Sequence, residues 1–124
     1  MTLPPYVIKI INTLSAHDRE AYVVGGCVRD LLMDKQPSDY DIATSALPQE
    51  VISWFPKTIP TGIGHGTVTV LMDGAPVEVS TFKGTMEGQS DLYQDLLRRD
   101  FTINAVAMDT QGTIYDPFGE QEDL

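Results

Sequence analysis

Asp39 and Asp41, in the stretch SDYDIAT (38–44), set two carboxylates two residues apart. In an extended segment, alternate side chains share a face and stand roughly 6 to 7 Å apart along the chain. Both acids then line one cleft, while Tyr40 and Ile42 turn into the core. Hard cations such as Mg2+ take oxygen ligands of this kind. Two such ions about 3.5 to 4 Å apart can activate an attacking hydroxyl and stabilise a leaving pyrophosphate, which is the chemistry of phosphoryl or nucleotidyl transfer. An isolated Asp-x-Asp is also, and more often, a solvated strand face.

Other residues bear on that choice. Gly25-Gly26, between an apolar strand and a helix, lets backbone amides approach a phosphate, and Arg29 adds a permanent cation able to bind phosphate oxygens bidentately. The pattern is neither a Rossmann Gly-x-Gly-x-x-Gly nor a Walker loop, and a tight turn with Arg29 solvated reads it equally well. Glu78, in VEVSTF, faces away from the inward Val77 and Val79. It completes an acidic triad if its strand lies beside DYDIAT, and is otherwise a surface acid. Arg98, Arg99, Asp100 and Asn104, in LLRRDFTINA, could hold a triphosphate and a ribose hydroxyl or be solvated and ion-paired. His65 has no His or Cys partner at metal-binding spacing and reads as a turn residue; Cys27 reads as a small buried hydrophobe.

The elements that must position these groups follow from periodicity. PPYVIKIINTLSAHD (4–18) puts Val7, Ile8, Ile11 and Leu14 at helical spacing, with prolines suited to a first turn and Asp18 near the end. EAYVVGG reads as a buried strand ended by glycine, CVRDLLMD as a helix, SDYDIAT as a strand, and LPQEVISWF as a helix closed by Pro56. GTVTVLMDGAPVEVSTF alternates around Asp73-Gly74 and reads as a β-hairpin, which makes the sheet at least partly antiparallel. LYQDLLRRDF reads as a further helix, and INAVAMDTQGTIYDPF as two strands turning at Gln111-Gly112. The class is α+β, a mixed sheet flanked by helices.

With 124 residues, 42% of them hydrophobic, the chain can bury one modest core, so a single domain is expected. Eight basic against eighteen acidic residues give a net charge of −10, which opposes a broad electrostatic grip on nucleic acid by this segment alone. A single cysteine excludes an intrachain disulfide, and neither a signal peptide nor an apolar run of roughly 20 residues is present, so a cytoplasmic protein with no membrane partner is expected.

In combination, GGCVRDLL, PSDYDIAT, TGIGHGTVTV, VEVSTF and RRDFTINAVAM resemble the N-terminal head of the bacterial class II tRNA nucleotidyltransferases, the CCA-adding and CC-adding enzymes and their poly(A) polymerase relatives. The resemblance runs along nearly the whole chain, in the family's order. It implies a polymerase-β-like nucleotidyltransferase fold over residues 1–124, magnesium as cofactor, and CTP, with ATP as a further candidate, as the nucleotide added to a tRNA 3′ end. Asp39 and Asp41 match the family's metal-binding aspartates. Gly25, Gly26 and Arg29 fall at its nucleotide-phosphate contacts, and Arg99, with Asp100 and Asn104 beside it, at a further nucleotide contact. Glu78 is a third catalytic acid by the same comparison.

Two departures from the family pattern stand out. The chain ends at DPFGEQEDL, before the Glu-Asp-x-x-Arg motif with which the family reads the incoming base, and without the helical neck, body and tail that hold tRNA. A head fragment is therefore expected, with tRNA bound mainly by segments outside it. Between STF and RRDF the chain has only KGTMEGQSDLYQDLL (83–97), where relatives that add the whole of CCA carry a longer Arg-rich loop, so this shortness resembles the CC-adding branch. A poly(A) polymerase head and a catalytically silent nucleotide-binding domain are the competing readings. The retained acidic pair speaks against the second, because sensing a nucleotide needs phosphate contacts but no two-metal site.

Overall fold

The computed structural model describes residues 3–82 and 107–115. Helix α1 spans Pro5–Ala16 and buries Val7, Ile10, Ile11 and Leu14. Ile10 thus takes a core position that the sequence reading gave to Ile8, which packs only at the core's edge. The helix ends in a Schellman turn. Asp18 sits at φ 60, its N–H donating to the Ser15 carbonyl and the Arg19 N–H to the Leu14 carbonyl. The same device, with Asp34 at φ 59, ends α2 (Gly26–Leu32). Helix α3 (Pro48–Trp54) begins with proline in its first turn, and Glu50 accepts the Leu47 N–H at 2.9 Å. Glu50 also takes two hydrogen bonds from Arg19, at 2.8 and 3.3 Å, which fasten the start of α3 to the exit of α1. That pairing lowers the Glu50 pKa, chiefly through the Arg19 hydrogen bonds.

Seven strands form one mixed sheet: β1 (Ala21–Val24), β2 (Asp41–Thr44), β3 (Thr58–Gly62), β4 (Thr67–Met72), β5 (Ala75–Thr81), β6 (Ala107–Met108) and β7 (Ile114–Tyr115). Their order is β3-β4-β5-β2-β1-β6-β7. All neighbours are antiparallel except β2 and β5, which run parallel because α3, β3 and β4 lie between them in the chain. The β4–β5 hairpin turns at Asp73-Gly74, both at positive φ (53 and 81), as a two-residue loop in a right-twisted ribbon requires. The β6–β7 turn passes through Gly112 at φ 84, with the Asp109 carboxylate accepting the N–H groups of Gln111 and Thr113.

Alternation along the strands divides the sheet into two faces. Val23, Ile42, Val68, Val70, Val77, Val79 and Met108 pack in one cluster with the apolar sides of α1, α2 and α3. The opposite face carries a smaller cluster of Val24, Ala43, Phe82 and Ala107. Strand β3 was not foreseen; it precedes the short 3-10 helix Ile63–His65, which bears out His65 as a turn residue. The expected helix over LYQDLLRRDF lies outside the described residues.

Candidate active site

The α2–β2 connection delivers the acidic pair. Pro37 and Tyr40 are buried on either side of exposed Ser38 and Asp39, so the segment is pinned at two points and presents Asp39 between them. The ladder starts at Asp41, which places Asp39 just before β2 rather than within it. Tyr40 and Ile42 enter the core as expected, Tyr40 at 2% exposure with its ring edge-on to Tyr6 of α1 (6.1 Å between centroids). The Tyr40 hydroxyl has no well-aligned hydrogen-bond partner among the described residues; burial raises its pKa, and the approach of the Gln36 side chain acts the other way.

The third carboxylate is placed by register. In the parallel β2–β5 ladder Asp41 stands directly beside Glu78, and in the antiparallel β4–β5 ladder Glu78 stands opposite Thr69. Asp39, Tyr40, Asp41, Thr69, Pro76 and Glu78 line an open cleft of about 390 Å³. The conditional reading of Glu78 therefore resolves in favour of its facing the two aspartates. Thr69, Pro76 and Tyr40 were missed as cleft residues. Counting outward from the two-residue turn at Asp73-Gly74 pairs Met72 with Ala75 and, three steps on, Thr69 with Glu78, so Thr69 was legible from the hairpin alone.

Gly25 caps α2 at φ 84 and ψ −154, a conformation that only glycine adopts without strain. A Cβ there would lie 3.7 Å from the Asp41 carboxylate, so the glycine turn runs alongside the acid. At Gly26 a Cβ would meet nothing within 4 Å. Arg29 is not among the cleft walls. Its guanidinium lies 3.8 Å from Asp30, and its Nε is buried without a hydrogen-bond partner among the described residues. Cys27 behaves as the buried hydrophobe expected. Its thiol donates to the Val24 carbonyl at 3.1 Å and is pushed up to about 11 by burial, with the backbone N–H of Asp41 pulling the other way. Arg98, Arg99, Asp100 and Asn104 lie outside the described residues.

No group of three or more His, Cys, Asp or Glu side chains among the described residues is drawn together as a metal cage. The donors present still suit magnesium. That ion is usually held by one or two carboxylates, keeping its other positions for water and substrate phosphates, and Asp39 and Asp41 offer such a pair on an open cleft.

A model of the poly(A) polymerase head domain matches residues 21–124. The chain belongs to this family. The head domain is 52% identical to the CCA-adding enzyme of Geobacillus thermodenitrificans over 132 aligned residues, covering 96% of this chain and 33% of that protein. It superposes on the Bacillus stearothermophilus CCA-adding enzyme in complex with CTP with a TM-score of 0.88 at 50% identity, covering 97% of this chain and 32% of the other. On the Thermotoga maritima CCA-adding enzyme complexed with tRNA it scores 0.77 at 27% identity, covering 98% and 31%. The fold is thus that of the nucleotidyltransferase head, and the chain spans about a third of the length of the curated relatives it matches. No helix among the described residues is long and apolar enough to cross a membrane.

Proposed function

We propose that the protein carrying this head domain is a tRNA nucleotidyltransferase that joins nucleotides from CTP, and from ATP where the full CCA is made, to a tRNA 3′ end. The observation that carries the reading is the β2–β5 register, which puts Glu78 beside Asp41 on the cleft that Asp39 also lines. Three carboxylates thus line one open cleft without being gathered into a three-ligand cage among the described residues. The names of relatives at about half identity agree with it.

In this reading Asp39 and Asp41 hold magnesium, which when bound would favour the attacking 3′ hydroxylate and offset charge on the leaving pyrophosphate. Glu78 keeps the far side of the cleft polar and anionic. Gly25 sets the turn that brings the backbone past Asp41, Gly26 leaves room for a phosphate above α2, and Arg29, with Arg99, grips phosphate or sugar. Tyr40, wedged inward between the two aspartates, holds their spacing against the core.

Two finer points have separate supports. The short 83–97 segment favours a stop after two cytidines, because a pocket that switches from C to A needs a mobile element biasing two states; the relatives' name, CCA-adding enzyme, favours the complete sequence. Incubating the full-length protein with tRNA lacking its 3′ end plus CTP and ATP separates them: products ending in CC support the stop, and a terminal A overturns it. Extended A tails made from ATP alone would instead indicate a poly(A) polymerase. Absence of magnesium-dependent pyrophosphate release with any of these substrates would refute the enzymatic reading.

A further inference from the structure

Beyond the three carboxylates, the outer face of the sheet continues toward the β3 edge. Ile59 pairs with Thr69, Thr69 with Glu78 and Glu78 with Asp41, so one row of side chains runs from the edge strand to the cleft. One step along, Leu71 pairs with Pro76 and donates its N–H to the Lys57 carbonyl at 3.0 Å. Pro76 reaches the cleft that Asp39 lines. Lys57, Leu71 and Pro76 therefore form a second row, parallel to the first.

Among the described residues these rows are open on one side only. Past Asp41 the first row runs into Val24 and Ala107, both buried, whereas toward β3 it reaches Ile59, a large apolar side chain 43% exposed. Pro76 and Lys57 are exposed and Leu71 is half-buried. Lys9 is paired with Asp73 and Arg19 with Glu50, while Lys57 makes no ion pair among the described residues. A cation and an exposed apolar strip thus adjoin the cleft, on the side away from the Gly25 turn.

We propose that Lys57, Ile59, Leu71 and Pro76 seat the single-stranded 3′ end of the acceptor RNA. The inference rests on the reading of the cleft as the site of nucleotide addition. Three strand spacings separate Ile59 from Asp41, about 14 Å, a distance that a short single-stranded end can bridge. Lys57 meets a backbone phosphate as a point charge, and the apolar strip lies under sugars and bases, giving contacts indifferent to base identity. One cation is what a chain of net charge −10 can spare, so the contact steers the end rather than supplying most of the tRNA affinity.

The test uses the full-length protein with tRNA lacking its 3′ end. Lys57→Glu should raise KM for the RNA about tenfold and reduce the slope of log affinity against log salt by about 0.7, the value for one phosphate contact on a single strand, while KM for CTP holds. Lys57→Arg should restore the slope, and Ile59→Ser should raise the RNA KM a few-fold with the slope intact. Wild-type RNA KM and salt slope in Lys57→Glu, or a rise in KM for CTP instead, overturns the proposal. Asp41→Asn, run in parallel, tells the two readings apart: if it is inactive while Lys57→Glu is unaffected, only the RNA seat fails, and if it remains active the cleft reading itself fails.

Discussion

Gly25→Ala and Gly26→Ala, one residue apart, should have opposite effects. Gly25 sits at φ 84 and ψ −154, and holding an L-residue there costs about 1–3 kcal/mol. Reduced freedom of the unfolded chain returns roughly 0.4–1 kcal/mol, so Gly25→Ala should destabilise by about 1–2 kcal/mol, or the turn must shift and carry the backbone away from Asp41. Gly26 opens α2 with helical geometry, and a methyl added there would meet nothing within 4 Å, so alanine should hold stability or raise it by up to about 1 kcal/mol. In the proposed reading Gly26 lies at the nucleotide phosphates, and the same methyl occupies the space a phosphate needs. A lost charge-assisted contact of about 1.5–3 kcal/mol corresponds to a tenfold or larger rise in KM for CTP. Urea unfolding together with CTP kinetics on both variants reads the contrast. A Gly26→Ala protein that is destabilised like Gly25→Ala but binds CTP normally would refute this division of roles.

Further outcomes follow from single side chains. Tyr40→Phe removes a buried hydroxyl with no well-aligned hydrogen-bond partner among the described residues, so stability in urea should stay level or rise by about 1 kcal/mol; a loss of more than about 1 kcal/mol would reveal a bond to the hydroxyl, with Gln36 the nearest candidate. Glu50 has a folded pKa below its ordinary 4.5, so its contribution is complete above 4.5 and is lost as pH falls through the lower folded value. Glu50→Gln should therefore be less stable than the parent at pH 7, with the gap closing in acid; a gap independent of pH contradicts this. Arg29→Ala should weaken CTP and ATP alike, about ten- to hundredfold, and a change in base preference would show that this arginine reads the base.

The sequence made much of this site legible because its signals are local. Alternation placed Tyr40 and Ile42 inward, and the Asp73-Gly74 turn fixed the hairpin and with it the Thr69–Glu78 pairing. What it could not supply was the parallel contact of β2 with β5, which joins residues 37 apart in sequence (78 minus 41) across a helix and two strands. Without that register Glu78 was equally a surface acid. Strand β3 escaped notice because TIPTG carries a proline and no clean alternation, features tolerated only at a sheet edge, where it lies. Ile8 and Ile10 were exchanged because both fit a helical period, and only packing against the sheet decides which rim of the apolar stripe is covered.

The most direct test of the account is incorporation of labelled CTP into tRNA lacking its 3′ end by the full-length protein and its Asp39→Asn and Asp41→Asn variants, across a magnesium titration. Both side chains line the cleft rather than fill the core, so the variants should keep the parent's unfolding midpoint and lose nucleotide addition at every magnesium concentration. Near-parental incorporation by either variant at saturating magnesium would contradict the assignment of this cleft as the catalytic site.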